Sequence, residues 1–184
     1  KNILDKFVIL YSGTMGMKHD PSLVTYAAEK LKNDTDIHFI IVSEGMGSEY
    51  IKKQIDRNSL SNISVFPFQN FDDLPQVIAS GDLLLTILEK EAGIFSVPSK
   101  VWTYYCSGRA SILYVPENNL AAKITKKYKA GVTCTDKNRF VEIIKELKNN
   151  PILLDEMGSN AREYAEKFFK INKITDKFVS IFND

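Results

Sequence analysis

Six short apolar runs punctuate the chain, and they carry little polar alternation. They are Phe7–Tyr11, His38–Val42, Ile63–Phe66, Asp82–Leu88, Ala110–Tyr114 and Val132–Cys134. Runs of this length, rich in Val, Ile and Leu, read as strands buried on both faces. Stretches with helical spacing lie between them: Leu23, Tyr26, Ala27 and Leu31, then Ser48–Arg57, Leu74–Ala79, Pro98–Ser107 and Leu120–Tyr128. Three more helices, Lys137–Lys148, Ile152–Phe169 and Asn172–Phe182, are expected to close the chain. Strands and helices in alternation predict an α/β fold with a doubly wound parallel sheet of six strands and helices on both faces. Right-handed crossovers place every strand-to-helix loop on one edge of such a sheet, where a ligand is expected. Four loops fall there: Ser12–Asp20, Ser43–Gly47, Pro67–Asp73 and Glu89–Val97.

A chain of 184 residues is the length of one domain. A net charge of +1 gives no argument for a nucleic-acid or acidic partner, and no nucleic acid is expected. Cys106 and Cys134 are too few for a disulfide framework and read as small buried hydrophobes. No run approaches the ~18 apolar residues of a membrane span. Lys1–Lys6 lacks the apolar segment of a signal peptide. The chain does not begin with Met and is expected to be cut from something longer.

The segment Ser96–Gly108 carries the most chemical information. It puts Pro98, Ser99 and Lys100 at the first turn of a helix, with Gly108 at its end. Free backbone N–H groups, a hydroxyl and a cation pointing the same way suit a phosphate. A helix merely started by Pro98, with Lys100 exposed, is the other reading, and both stand. Trp102, Tyr104 and Tyr105 read as packing aromatics. The first loop is a second such feature: Gly13 and Gly16 allow close backbone approach, and Lys18 adds charge. Read alone, it is also simply a turn. It lacks the third glycine of the dinucleotide fingerprint and the Gly-Lys-Ser/Thr of a P-loop.

Glu44 and Glu91 stand on ligand-edge loops. Each could hold a ribose or sugar hydroxyl, or be a solvated loop acid. Asp34-Thr35-Asp36 looks like a metal-binding Asp-x-Asp, but it lies at a helix end on the opposite edge, where Asp forms turns. His19 and His38 have no Cys or acidic partner at ligand spacing, so no metal site is expected. The absence of a Gly-x-Ser-x-Gly elbow speaks against a hydrolase.

With the elements in order, nearly the whole chain resembles the C-terminal, donor-binding domain of group 1 retaining glycosyltransferases of the GT-B fold. The branch acting in capsule and O-antigen (lipopolysaccharide) synthesis is the most similar. The residues that carry the likeness are the loop Gly13–Lys18, Val65-Phe66-Pro67-Phe68 followed by Leu74-Pro75, Pro98-Ser99-Lys100, and Ser107-Gly108-Arg109. The pattern Asn160-Ala161-Arg162…Ala165…Phe168-Phe169 adds to it. The resemblance implies a single Rossmann-like nucleotide-sugar-binding domain over residues 1–184. Gly13, Thr14, Gly16 and Lys18 would line the diphosphate and sugar, Phe68 would hold the nucleobase, and Ser99 and Lys100 would meet the diphosphate. The donor implied is a UDP-sugar, with no cofactor and no metal. The activity implied is hexosyl transfer to a cell-surface glycan or lipid-linked acceptor.

One departure stands out. Many relatives carry two glutamates around this helix, where Phe95 and Thr103 stand here. Thr103 could donate a hydrogen bond to the ribose but brings no carboxylate. The family also implies an N-terminal domain outside this chain, holding the acceptor and the catalytic residues. The chain alone is then expected to bind nucleotide and transfer nothing. The apolar stripe Ile171, Ile174, Phe178, Ile181 and Phe182 is expected to pack partly on that domain. A cytoplasmic location is implied, with the full-length enzyme peripheral at the inner face of the plasma membrane. Alternatives on the same architecture are a UDP-sugar epimerase and a non-catalytic nucleotide-binding or scaffold domain. A receiver-type signalling domain would need an acidic cluster after the first strand, and Tyr11-Ser12-Gly13 has none.

Overall fold

The computed structural model describes residues 3–16 and 19–183. The strands are β1 (Phe7–Ser12), β2 (Ile37–Val42), β3 (Ile63–Phe66), β4 (Leu83–Ile87), β5 (Ala110–Tyr114) and β6 (Gly131–Cys134). The helices are α1 (Pro21–Lys30), α2 (Met46–Asn58), α3 (Leu74–Ala79), α4 (Ala92–Phe95) and α5 (Lys100–Ser107). They continue with α6 (Leu120–Tyr128), α7 (Lys137–Lys148), α8 (Pro151–Phe168) and α9 (Ile171–Asn183). The six strands form one sheet in the order β3-β2-β1-β4-β5-β6, and every pairing is parallel. The doubly wound parallel fold expected from the apolar runs is the fold observed.

Local sequence explains the helix starts. The Asp20 side chain accepts from Ser22 N, with Pro21 in the first turn, and Asn119 does the same for Ala121 N. Asp136 caps α7 through Arg139 N, and Asn150 caps α8 through Leu153 N ahead of Pro151. Gly108, at φ +69°, closes α5 in the left-handed conformation that suits glycine.

One sheet face, with Ile9, Tyr11, Phe39, Leu85 and Ile112, packs on Leu23, Val24, Ile51, Phe140 and Ile144 of α1, α2 and α7. The opposite face divides in two. Val8, Leu10 and Leu84 meet Ile78 of α3 and Tyr104 of α5. Leu113 and Val115 meet Val101, Tyr105, Ala121 and Ala161. Apolar residues on both faces account for the missing polar alternation in the strands.

Three features differ from expectation. The four-residue helix α4 interrupts the loop after β4, too short to show a period. Helix α5 begins at Lys100 rather than Pro98, because Val101 N and Trp102 N turn back onto the carbonyls of Pro98 and Ser99. Cys106 is exposed rather than buried, since Val101, Tyr104 and Tyr105 take the buried side of α5. Cys134 is half-buried, and burial pushes its thiol up to about 12. Among the described residues, no helix is long and apolar enough to cross a membrane.

The feature that positions the site is a split. β1 pairs with β2 along its whole length, from Phe7 to Ser12, but with β4 only at Ile9 and Leu10. Beyond Leu10 the two strands part. The chain leaves β1 toward β2 and leaves β4 toward β5, so the split is the topological switch point, where open α/β sheets take ligands.

Candidate functional site

The backbone of β1 alternates its hydrogen-bonding direction. Phe7 N and Gly13 N face β2 and donate to Asp36 O and Val42 O. Val8 faces the other way, donating to Asp82 Oδ2 and accepting from Asp82 N. By the same parity Ser12 turns its N–H and C=O toward β4, which has already diverged. A phenol from α5 takes the place of the strand. Tyr104 OH accepts from Ser12 N at 3.0 Å and donates to Ser12 O at 3.3 Å. The ring is buried, and burial pushes its pKa far above the ordinary phenol value, so it stays a neutral O–H donor.

Lys100 lies one helical turn before Tyr104, on the same side of α5. Its Nζ is buried, 3.3 Å from the centroid of the Tyr11 ring. Tyr11 belongs to the sheet face opposite α5, so the lysine reaches it across the carboxyl end of the sheet. It passes Gly13, where a Cβ would stand 3.2 Å from Nζ. Gly13 also holds φ +127°, a conformation that side-chain-bearing residues rarely adopt. Tyr11 OH donates to Thr14 O at 2.8 Å and fixes the far end of the turn. The two segments read from sequence as phosphate-suited loops thus meet at one point.

Other elements flank that point. On the β2/β3 side, Glu44 Oε1 accepts from Phe68 N at 3.1 Å and shapes the loop after β3. Phe68, Phe71, Val42 and Ser12 line a small cavity of about 160 Å³ there. On the β5 side lies a larger cleft of about 680 Å³, walled by Leu88, Glu89, Lys90, Tyr114, Pro116 and Asn118. The loop above it is tied down by Asn119 Nδ2, which donates to Gly93 O and Ser96 O at 2.8 Å each.

Of the residues singled out from sequence, Gly13 and Lys100 come together, and so do Glu44 and Phe68. Thr14 is exposed with its carbonyl held by Tyr11, and Gly16 N donates to His19 Nδ1. Ser99 and Thr103 are exposed around the first turn of α5, and Glu91 is exposed just before α4. Lys18 lies outside the described residues. Asp34 and Asp36 sit at the opposite edge, paired with Lys145 and Lys148. Sequence reasoning did not single out Tyr11 or Asn119, and it read Tyr104 as packing. The one available signal for Tyr104 was its spacing of one turn from Lys100.

The family described as Glycosyl transferases group 1 matches residues 1–164. The Escherichia coli (strain K12) protein WcaI, named as a colanic acid biosynthesis glycosyl transferase, is 26% identical over 176 residues, 96% of this chain and 43% of its own. The structure of Anabaena Alr3699/HepE in complex with UDP superposes with a TM-score of 0.82 at 16% identity, over 98% of this chain and 50% of that one. The C-terminal domain of the group 1 protein LpcC from Francisella tularensis superposes with a TM-score of 0.73 at 14% identity, over 90% of this chain and 87% of that one. The chain therefore spans less than half of the curated relative it matches.

Proposed function

The chain belongs to the group 1 glycosyl transferases, and on that premise we propose that it is the part that holds the nucleotide-sugar donor, as one binding domain over residues 1–184. The donor is a UDP-sugar, and the whole enzyme passes its hexosyl group to a cell-surface glycan or lipid-linked acceptor. The observation that carries this reading is the meeting of Gly13 and Lys100 at the switch point. A diphosphate seated there lies over a backbone without a Cβ, beside a cation and the start of α5. The uracil then points toward Phe68 and the cavity it lines, and the sugar toward the cleft beside Glu89 and Lys90. The UDP held by the HepE structure supports the nucleotide, and the name of WcaI, a colanic acid biosynthesis glycosyl transferase, supports a biosynthetic transfer.

Transfer breaks the bond between the sugar and the diphosphate, and negative charge grows on the departing phosphate. Lys100 and the amino end of α5 stabilise that charge without a metal ion. The acceptor and the residue nearest the reacting carbon belong to the portion of the relatives that this chain does not match. The reaction is placed in the cytoplasm, on the inner face of the plasma membrane.

Titration calorimetry of the chain with UDP, GDP and uridine, each with and without EDTA, tests the reading. Heat with UDP, undiminished by EDTA, is expected. Heat with no nucleotide at millimolar concentration would remove the donor assignment, and a strict magnesium requirement would remove the metal-free mechanism.

A further inference from the structure

We propose that Tyr104 is a positioning residue: by bonding both backbone groups of Ser12 it sets the width of the β1/β4 split, and so the placement of Gly13 against Lys100. The inference rests on the reading that a diphosphate binds at that split. A parallel strand would normally satisfy Ser12 N–H and C=O, but β4 leaves β1 after Leu10. Two backbone groups at the mouth of a binding crevice need partners, and one phenol supplies both. It does so from α5, the helix that also carries Lys100. The bond therefore joins the two halves of the diphosphate site through a rigid, buried ring. Without the oxygen, Ser12 is left to water or to a shift of the loop, and Gly13 follows because it is the next residue. Ser12 also borders the cavity on the nucleobase side, but the Phe68 backbone there is fixed independently by Glu44.

The adjacent tyrosine provides the control. Tyr105 is equally buried, and its OH lies 2.7 Å from Thr125 Oγ1 of α6, away from the split. Affinities of UDP, inorganic pyrophosphate and uridine are measured for the chain, Tyr104→Phe and Tyr105→Phe, with melting temperatures alongside. Tyr104→Phe is expected to weaken UDP and pyrophosphate about tenfold while uridine changes less than about twofold. Tyr105→Phe is expected to lower the melting temperature similarly and leave all three affinities in place. Equal loss of UDP and uridine in Tyr104→Phe, or no greater loss than in Tyr105→Phe, overturns the role. A second readout uses the unmodified chain. The Ser12 amide resonance should shift with pyrophosphate, and indifference to pyrophosphate also overturns the role. If the unmodified chain takes up neither UDP nor pyrophosphate, the proposed function itself fails and this inference falls with it. If it takes up both and Tyr104→Phe behaves like Tyr105→Phe, the role of Tyr104 alone is refuted.

Discussion

The ammonium of Lys100 stands 3.3 Å from the centroid of the Tyr11 ring, with its charge lodged at the mouth of the sheet rather than in open solvent. An aromatic face attracts a cation, and the attraction is small, about 0.5–2 kcal/mol. The ammonium is thereby held in a fixed place beside Gly13.

Replacing that charge separates the phosphate from the nucleoside. Lys100→Ala should weaken UDP by about 10- to 100-fold, the span of a hydrogen bond to a charged group. Uridine binding should change little. Equal losses for UDP and uridine, read by calorimetry, would make Lys100 a structural residue, and no loss for either would make it a bystander.

Gly13→Ala should harm both stability and binding. The new Cβ stands 3.2 Å from Lys100 Nζ, and φ +127° disfavours any side chain. Backbone strain of this kind costs about 1–3 kcal/mol. Thermal melting should fall by roughly 2–4 °C per kcal/mol in a chain of this size. UDP affinity should fall with it as the lysine is displaced. An alanine variant with unchanged melting and unchanged affinity contradicts the packing described.

Thr86 offers a test in the opposite direction. It is fully buried in β4, on the face it shares with Leu84, and its Oγ1 has no hydrogen-bond partner among the described residues. Valine has nearly the same shape and no hydroxyl to leave unsatisfied, a group whose burial costs about 1–3 kcal/mol. Thr86→Val should raise the melting temperature by several degrees. A fall would mean that the hydroxyl has a partner.

Helix α9 should be the least protected helix. Ile171, Phe178, Ile181 and Phe182 are all exposed along it. Local openings are cheapest where few apolar contacts hold an element. Amides of residues 172–182 should exchange well before those of β4, Leu83–Ile87, in the isolated chain. Protection equal to that of β4 would show that the stripe has a partner within the chain.

The fold was readable because the buried strands β1, β2, β4 and β5 carry little polar alternation. The edge strands β3 and β6, expected to be buried on both faces, are only partly buried and were recognised by their short apolar runs. Helix α6 was read to its bounds, Leu120–Tyr128, with Ala130-Gly131 as the closing signal. The strand order was not readable, since periodicity says which face a residue takes and nothing of which strand lies beside it. The split between β1 and β4 therefore came only from the structure.

The site was legible in its parts and not in its joints. Gly13 and Lys100 could be named from loop chemistry, but they lie 87 positions apart and no local pattern reports their contact. Tyr104 looked like any packing aromatic, because a phenol in a core and a phenol bonded to a strand have the same helical spacing. Glu44 read as a ribose or sugar contact or as a solvated loop acid, while its carboxylate holds the Phe68 amide. Cys106 was misplaced because α5 buries Val101, Tyr104 and Tyr105 and turns the next residue outward.

A crystal structure of this chain with UDP tests the central claim most directly. The account predicts the diphosphate over Gly13, within hydrogen-bond reach of Lys100 Nζ, with the uracil against the loop of Phe68. UDP lodged away from the β1/β4 split, or seated there with its phosphates turned from Lys100, would contradict it.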